Sequence, residues 1–400
     1  VAIQTDGCVH GPDQDRDIYL GGRAGIGVAW SITMRRFDWN QQGFTLVELM
    51  AAVLITVVIV AATMTTVVTS NRANVVNTQV ADTQQNVRLA IDLLSRDIKL
   101  AGFNYNATDP ATGSVGACNA TIGAVVKPVG LLPQDQTPTG ADTGADSVSM
   151  VLPVMNTTGW TLTAAVGGTP NNKTYDNSIS LSGAAMTEMV AQGLVVGSTI
   201  SIGGALSKTV QAVNATSIGF GTGNFVDGQF PVGTPVYLMQ CVRYQVVANT
   251  PATCGSDTPC LVRNNVPLVD GVEDLQLAYA CDGCNQAVPN PLFPDGVVDD
   301  QDASSTSGFP TFTQGDFVSN SAWAIAPWTP DKIRLAQVSL VVRPTNADDG
   351  LDEKGTKAVN TTGPVIVGDH NPSADAGYNA STYMQQRRRV MIRTIQPRNL

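Results

Sequence analysis

Residues 43–71 open with Gly43-Phe44-Thr45-Leu46-Val47-Glu48 and continue from Leu49 to Asn71 through 23 residues without a charged side chain. An α-helix needs only about 20 apolar residues to cross a hydrocarbon core of about 30 Å. Val53, Ile55, Val57, Val58, Ile59, Val60, Val67 and Val68 are β-branched, which by propensity alone pulls toward strand. In lipid that pull loses, because a spanning segment must satisfy its own backbone and a lone strand cannot. The segment therefore reads as a transmembrane helix. Its odd feature is Glu48, since a carboxylate in apolar surroundings must be neutralised or paired. A cut between Gly43 and Phe44 would create a free α-amino group as a partner, on the same chain or on an adjacent copy. The pairing reads as an assembly device.

Gly-Phe-Thr-Leu-Val-Glu-Leu followed by an apolar helix resembles the class III signal of type IV prepilins and of type II secretion pseudopilins. Three later stretches are similar to the PilW family of minor pilins: 268–279 (Leu-Val-Asp-Gly-Val-Glu-Asp-Leu-Gln-Leu-Ala-Tyr), 332–343 (Lys-Ile-Arg-Leu-Ala-Gln-Val-Ser-Leu-Val-Val-Arg), and the basic strand 387–399. The segment from about 105 to 235 resembles no family. The resemblance implies an α+β, lollipop-like fold, with the long N-terminal helix packed on an antiparallel sheet that carries long loop insertions. It also implies cleavage after Gly43 and N-methylation of Phe44 by a prepilin peptidase of the inner membrane. Other minor pilins and the major pilin are the implied partners, in a complex that primes filament assembly or stays at its tip. A minor pseudopilin of a type II secretion or DNA-uptake system is the alternative within the class.

Of 400 residues only 14% are charged, whereas Gly (38) and Pro (22) are abundant. That composition suits a strand-and-loop body. The net charge of −10 argues against nucleic acid as a partner, since phosphate recognition needs a basic surface. Seven cysteines occur, at 8, 118, 241, 254, 260, 281 and 284. If Cys8 is lost with a leader, six remain, an even set suited to an oxidising compartment and open to 15 pairings. The reading pairs Cys254 with Cys260 and Cys281 with Cys284 as local links, and Cys118 with Cys241 as the remainder.

Taken in order, residues 1–33 show neither an apolar run nor a helical period and read as upstream sequence translated in error, with Met34 as the start. Residues 34–43 form a short leader, and Arg35 and Arg36 hold its side of the span in the cytoplasm. Residues 44–71 make the transmembrane or filament-core half of a helix, and 72–101 its amphipathic half. In the latter, Val76, Val80, Thr83, Val87, Ile91, Leu94 and Ile98 recur every three or four residues. Arg88, Asp92 and Arg96 stand four apart on another face, as neighbours able to pair along the helix. Gly102 is the natural stop. Residues 102–400 form a periplasmic or extracellular β-rich head. It opens with loops and short strands over 103–145, where the resemblance places the αβ loop of pilins. Strands are expected at 146–152, 194–202, 208–213, 216–220, 235–247, 260–263, 275–279, 332–343 and 388–396. Residues 269–272 read as a turn or one helical turn, and 281–330 as a second loop-rich insertion.

The remaining constellations carry little chemistry. Cys281-Asp-Gly-Cys284 has thiol-redox spacing, but a redox pair needs a βαβ context and a helix N-terminus to acidify one thiol. A structural link is the reading, and a membrane-anchored periplasmic thiol oxidoreductase is the alternative of another class. Asp295, Asp299, Asp300 and Asp302 cluster within eight residues. They read as a solvated acidic loop, with Ca²⁺ the secondary reading because the spacing departs from that of an EF-hand. Asp348, Asp349, Asp352 and Glu353 read the same way. His370, beside Asp369, reads as a surface-loop histidine, and Arg387–Arg389 as the charged flank of an edge strand. No catalytic residue and no cofactor is expected, so the chain reads as a non-enzyme. A surface adhesin using residues 103–235 remains a further alternative.

Overall fold

The structure, a computed structural model, describes residues 44–103, 118–122, 125–138, 140–156, 159–168, 175–221, 226, 228–248, 254, 258–284, 295–302, 312–323, 325–344 and 363–399. Met34, the leader with Arg35, Arg36 and Gly43, Cys8 and the acidic residues 348–353 lie outside them. The chain divides into two units, one ending at Thr63 and one beginning at Met64. Helix α1 (Leu46–Leu100) contributes to both.

Up to Thr63 the described chain is helix and its cap. The β-branched residues do not break it. Thr56 Oγ1 donates back to Ala52 O (2.7 Å) and Thr63 Oγ1 to Val60 O (2.9 Å), so these hydroxyls are satisfied inside the helix, as an apolar medium demands.

In the second unit the helix turns amphipathic. Thr83, Val87, Ala90, Ile91, Leu94 and Ile98 are buried, whereas Val76 and Val80 are half-buried. The buried stripe packs into one cluster with Leu131, Val148, Met150, Val242, Leu275, Leu277, Val338 and Leu340. Each such aliphatic side chain contributes about 1.5–3 kcal/mol on burial. Asp92 differs from expectation, because its partner is Arg393 across the fold and not Arg88 or Arg96. A cation on a neighbouring strand reaches it in place of the helical neighbours. After the helix, Gly102 has φ +72° and a Cβ there would lie 2.7 Å from Asn399 O, a position only glycine fills without strain.

The sheets are antiparallel. The largest has β12 (Val266–Asp270), β11 (Cys260–Arg263), β10 (Val236–Val247), β4 (Ser147–Pro153) and β3 (Leu131–Gln134) in that order. The first half of β10 also pairs β6 (Thr199–Ile202), which pairs β7 (Leu206–Thr209). A second sheet runs β13 (Val272–Cys281), β14 (Ile333–Val342), β15 (Arg389–Ile395). Two small ribbons complete the set: β1 (Asn119–Ile122) with β2 (Val125–Pro128), and β5 (Ser178–Ser180), β9 (Ser217–Gly219), β8 (Ala212–Val213). The α+β expectation holds: a long apolar N-terminal helix precedes antiparallel sheets.

Of the two alternatives for residues 269–272 the turn holds: Asp270 ends one strand, Gly271 turns at φ +79°, and Val272 begins the next, in a different sheet. Two strand readings are corrected. Residues 208–213 are not one strand, since β7 ends at Thr209 and β8 begins at Ala212 in another sheet. Residues 194–198 are not strand, since β6 begins only at Thr199 after a glycine turn at 197. The segment without a family resemblance also holds helix α2 (Gly183–Ala191), capped by Ser182 Oγ on Ala185 N (3.1 Å). With Trp160, Ile179, Ile200, Ile218 and Phe220 this helix builds a second apolar cluster, separate from that of α1.

Candidate functional site

The start of α1 is where sequence and geometry converge. Thr45 stands before the first helical residue and Glu48 in its first turn. Glu48 Oε2 accepts hydrogen bonds from Thr45 N (3.1 Å) and Thr45 Oγ1 (3.1 Å), and Glu48 N donates to Thr45 Oγ1 (3.3 Å). This is a capping box, which satisfies donors that a helix N-terminus otherwise leaves bare. Glu48 therefore has a partner within its own chain, at the end of the helix where the macrodipole favours negative charge. Reading the segment only as a span hid this, although Thr45-x-x-Glu48 before an apolar run is its sequence signature. Oε1 receives no hydrogen bond from a described residue, so the carboxylate keeps acceptor capacity for an amine while capping its helix.

From Phe44 to Val68 the large apolar side chains are all exposed, Phe44 at 87% and Val68 still at 48%. An 18-residue window of this helix has mean hydropathy 2.5 with no residue buried. Exposed apolar surface of this extent marks a membrane or protein interface.

Disulfides join Cys118 to Cys241, Cys254 to Cys260, and Cys281 to Cys284. Cys281 closes a strand and is fully buried, and no helix among the described residues begins at either cysteine. The acidic quartet is divided. Asp295 Oδ1 accepts from Val297 N and Asp299 Oδ2 from Cys284 N, whereas Asp300 and Asp302 gather with Asp316. Asp302 and Asp316 are engaged by the Thr313 hydroxyl and by the Gln301 and Thr313 amides.

His370 is not the surface residue its loop position implies, being only 4% exposed. Its Nδ1 lies 2.8 Å from Asp274 and its Nε2 2.8 Å from Asp375. Burial opposes its charge, but the bonds and charges of the two carboxylates outweigh burial and raise its pKa to about 9. Asp369, its sequence neighbour, is not its hydrogen-bond partner. Arg388 forks onto Glu273 and stacks over the Tyr383 ring at 3.2 Å. This arginine is thus a buried structural contact, whereas β15 pairs on one side only, with β14, as an edge strand should. Asp274 and Glu273 lie 96 and 115 positions from their partners and carry no local signal, whereas Asp375 and Tyr383 stand only five positions from His370 and Arg388.

Among known proteins, the family model described as the prokaryotic N-terminal methylation motif matches residues 40–64. No curated protein matches the chain. A type IV-like pilin of Thermus thermophilus is similar at 10% identity with a TM-score of 0.26, over 79% of this chain and 95% of that one. The chain carries a prokaryotic N-terminal methylation motif at the head of a long apolar helix that precedes antiparallel β-structure.

Proposed function

We propose that this chain is a minor pilin of a bacterial type IV pilus, similar to the PilW family, and a structural subunit without catalytic activity. A prepilin peptidase would cut after Gly43 and methylate Phe44, and the inner membrane would hold the helix until assembly, with the head in the periplasm. The subunit would then join other minor pilins and the major pilin to prime the filament, staying at the pilus surface or tip. The supporting observation is the methylation motif at 40–64, set on a helix whose apolar residues from Phe44 to Val68 are all exposed.

The mechanism follows from the side chains. Burial of the exposed Val, Ile and Leu surface against neighbouring helices supplies affinity without direction. Direction would come from Glu48, whose Oε2 caps its own helix while the other oxygen accepts the freed amine of an adjacent subunit. That ion pair is strong only when desolvated inside the bundle, so it sets register after the helices have met.

Glu48→Val tests this in a strain lacking the wild-type gene. The variant should still insert and be cleaved, yet fail to co-purify with other pilins and leave the cells without pili. Normal piliation by Glu48→Val would refute the register argument.

A further inference from the structure

We propose that Asp135, Asp142 and Asp369 form a binding site for a hard divalent cation, with calcium preferred. One carboxylate oxygen from each residue lies within 4.8 Å of the other two. Oxygens each about 2.4 Å from a shared Ca²⁺ are separated by no more than about that distance.

The second observation is how these carboxylates are left. Asp142 is fully buried, and its Oδ1 accepts from Thr137 N (2.8 Å) while its Oδ2, also buried, accepts nothing. Both oxygens of Asp369 are buried; the polar groups nearest them are its own backbone N–H and the Ser319 hydroxyl, neither in full hydrogen-bond geometry, with the His370 ring within electrostatic reach. Asp135 is held by Thr137 N (2.9 Å) and Ser321 N (3.0 Å), which fix its orientation. None of the three pairs with a described Lys or Arg. Buried, like-charged and partly unsatisfied carboxylates are costly unless a cation compensates them.

Asp146 lies nearby, but its two oxygens are engaged by Gln136 N and Leu277 N, so it supplies no ligand. Tyr279 Oη, buried within electrostatic reach of Asp135 and Asp146, also lacks a partner.

The backbone builds the cluster deliberately. Asp142 and His370 form a parallel bridge between the β3–β4 loop and the segment before β15. That bridge brings Asp369 to residues more than two hundred positions earlier. A cation there would tie three stretches together: 135–146, the Ser321 turn and 367–370. All-oxygen ligation selects a hard ion, and Mg²⁺ gives up its water reluctantly, so Ca²⁺ should be preferred. In the acidic group at Asp300, Asp302 and Asp316, by contrast, Asp302 and Asp316 are already hydrogen-bonded to Thr313 and Gln301.

The test uses the full chain in detergent, stripped with a calcium chelator and titrated with calcium chloride by calorimetry and thermal unfolding, with magnesium chloride in parallel. Saturable binding of one Ca²⁺ and a rising Tm are expected, with a weaker response to Mg²⁺. Asp142→Asn and Asp369→Asn should each weaken binding by about tenfold or more, because affinity follows ligand charge, while Asp300→Asn should leave it intact. In chelator, Asp369→Asn should melt no lower than wild type, since it relieves repulsion. A wild-type protein with neither heat nor Tm shift would overturn the proposal, as would Asp369→Asn binding like wild type or melting lower in chelator. Should Asp142→Asn fail to fold, the wild-type and Asp369→Asn titrations still decide. The outcome is independent of the pilus reading, which does not require a cation.

Discussion

Asp97, a buried carboxylate on α1, should lock the amphipathic half of the helix to the sheet. Its Oδ2 accepts from Tyr244 Oη on β10 at 2.7 Å and lies 3.1 Å from Arg263 Nε on β11. Burial, reinforced by the adjacent Asp97 charge, raises the Tyr244 pKa, so the phenol stays a donor. Tyr244→Phe deletes one charge-assisted bond and should cost about 1.5–2 kcal/mol. Asp97→Ala deletes the same bond, strands the hydroxyl of Tyr244, a residue only 1% exposed, and frees Arg263. A third of the Arg263 side chain is exposed, so that ion pair adds only about 0.5 kcal/mol. The total for Asp97→Ala is about 3 kcal/mol. In the double variant the shared bond is lost only once and no hydroxyl is stranded, so the two losses should fall short of additivity by about 2.5 kcal/mol. Urea unfolding of the full-length protein in detergent, followed by tryptophan fluorescence, measures all three, with the exposed Asp92→Ala as a near-silent control. A coupling below about 0.5 kcal/mol would refute the lock, because independent sites add to within that margin.

Three further outcomes follow from the head. Gly271→Ala should destabilise by about 2 kcal/mol or more, since φ is +79° and the new Cβ would meet Arg343 O at 2.4 Å; unchanged thermal stability would contradict this. Removing Cys118–Cys241, which spans 123 residues, should cost about 5 kcal/mol against about 2 for the six-residue Cys254–Cys260 link, by loop entropy. Equal losses for the two paired Cys→Ala variants would show that strain or denatured-state structure dominates. Thiol trapping in living cells should find Cys281 and Cys284 wholly oxidised, and a cycling reduced fraction would favour the thiol-enzyme reading.

The long helix was legible because two simple signals agree over its length. A charge-free run covers Leu49–Asn71, and a stripe of helical period leads from Val76 to Ile98. The helix observed, Leu46–Leu100, follows both. Strand β10 was legible too, expected at 235–247 and found at Val236–Val247, because long β-branched and aromatic runs resist other readings. Helix α2 was hidden: Gly183 and neighbouring Ser and Thr residues look like loop, and its formers Ala184, Ala185, Met186 and Met189 span barely two turns. Tertiary burial of Ala185, Met186 and Met189 in the second cluster, not local propensity, decides it.

The sites divide along the same line. Glu48 stood out because a lone carboxylate in an apolar run is expensive, yet its cap to Thr45 needed the helix start to be placed. The conspicuous acids at 295–302 drew attention by adjacency, whereas Asp135, Asp142 and Asp369 are scattered loop residues in sequence. Only the Asp142–His370 bridge makes neighbours of them, and no local pattern encodes a contact of that range. His370 was misread because its burial depends on Asp274, 96 positions away, although its second partner Asp375 stands only five positions on.

Intact-mass and terminal-peptide mass spectrometry of the protein purified from membranes addresses the central claim most directly. The account predicts a chain that begins at Phe44 and carries one N-methyl group. A mature chain that retains Met34 or Val1, or begins at Phe44 without the methyl group, would contradict it.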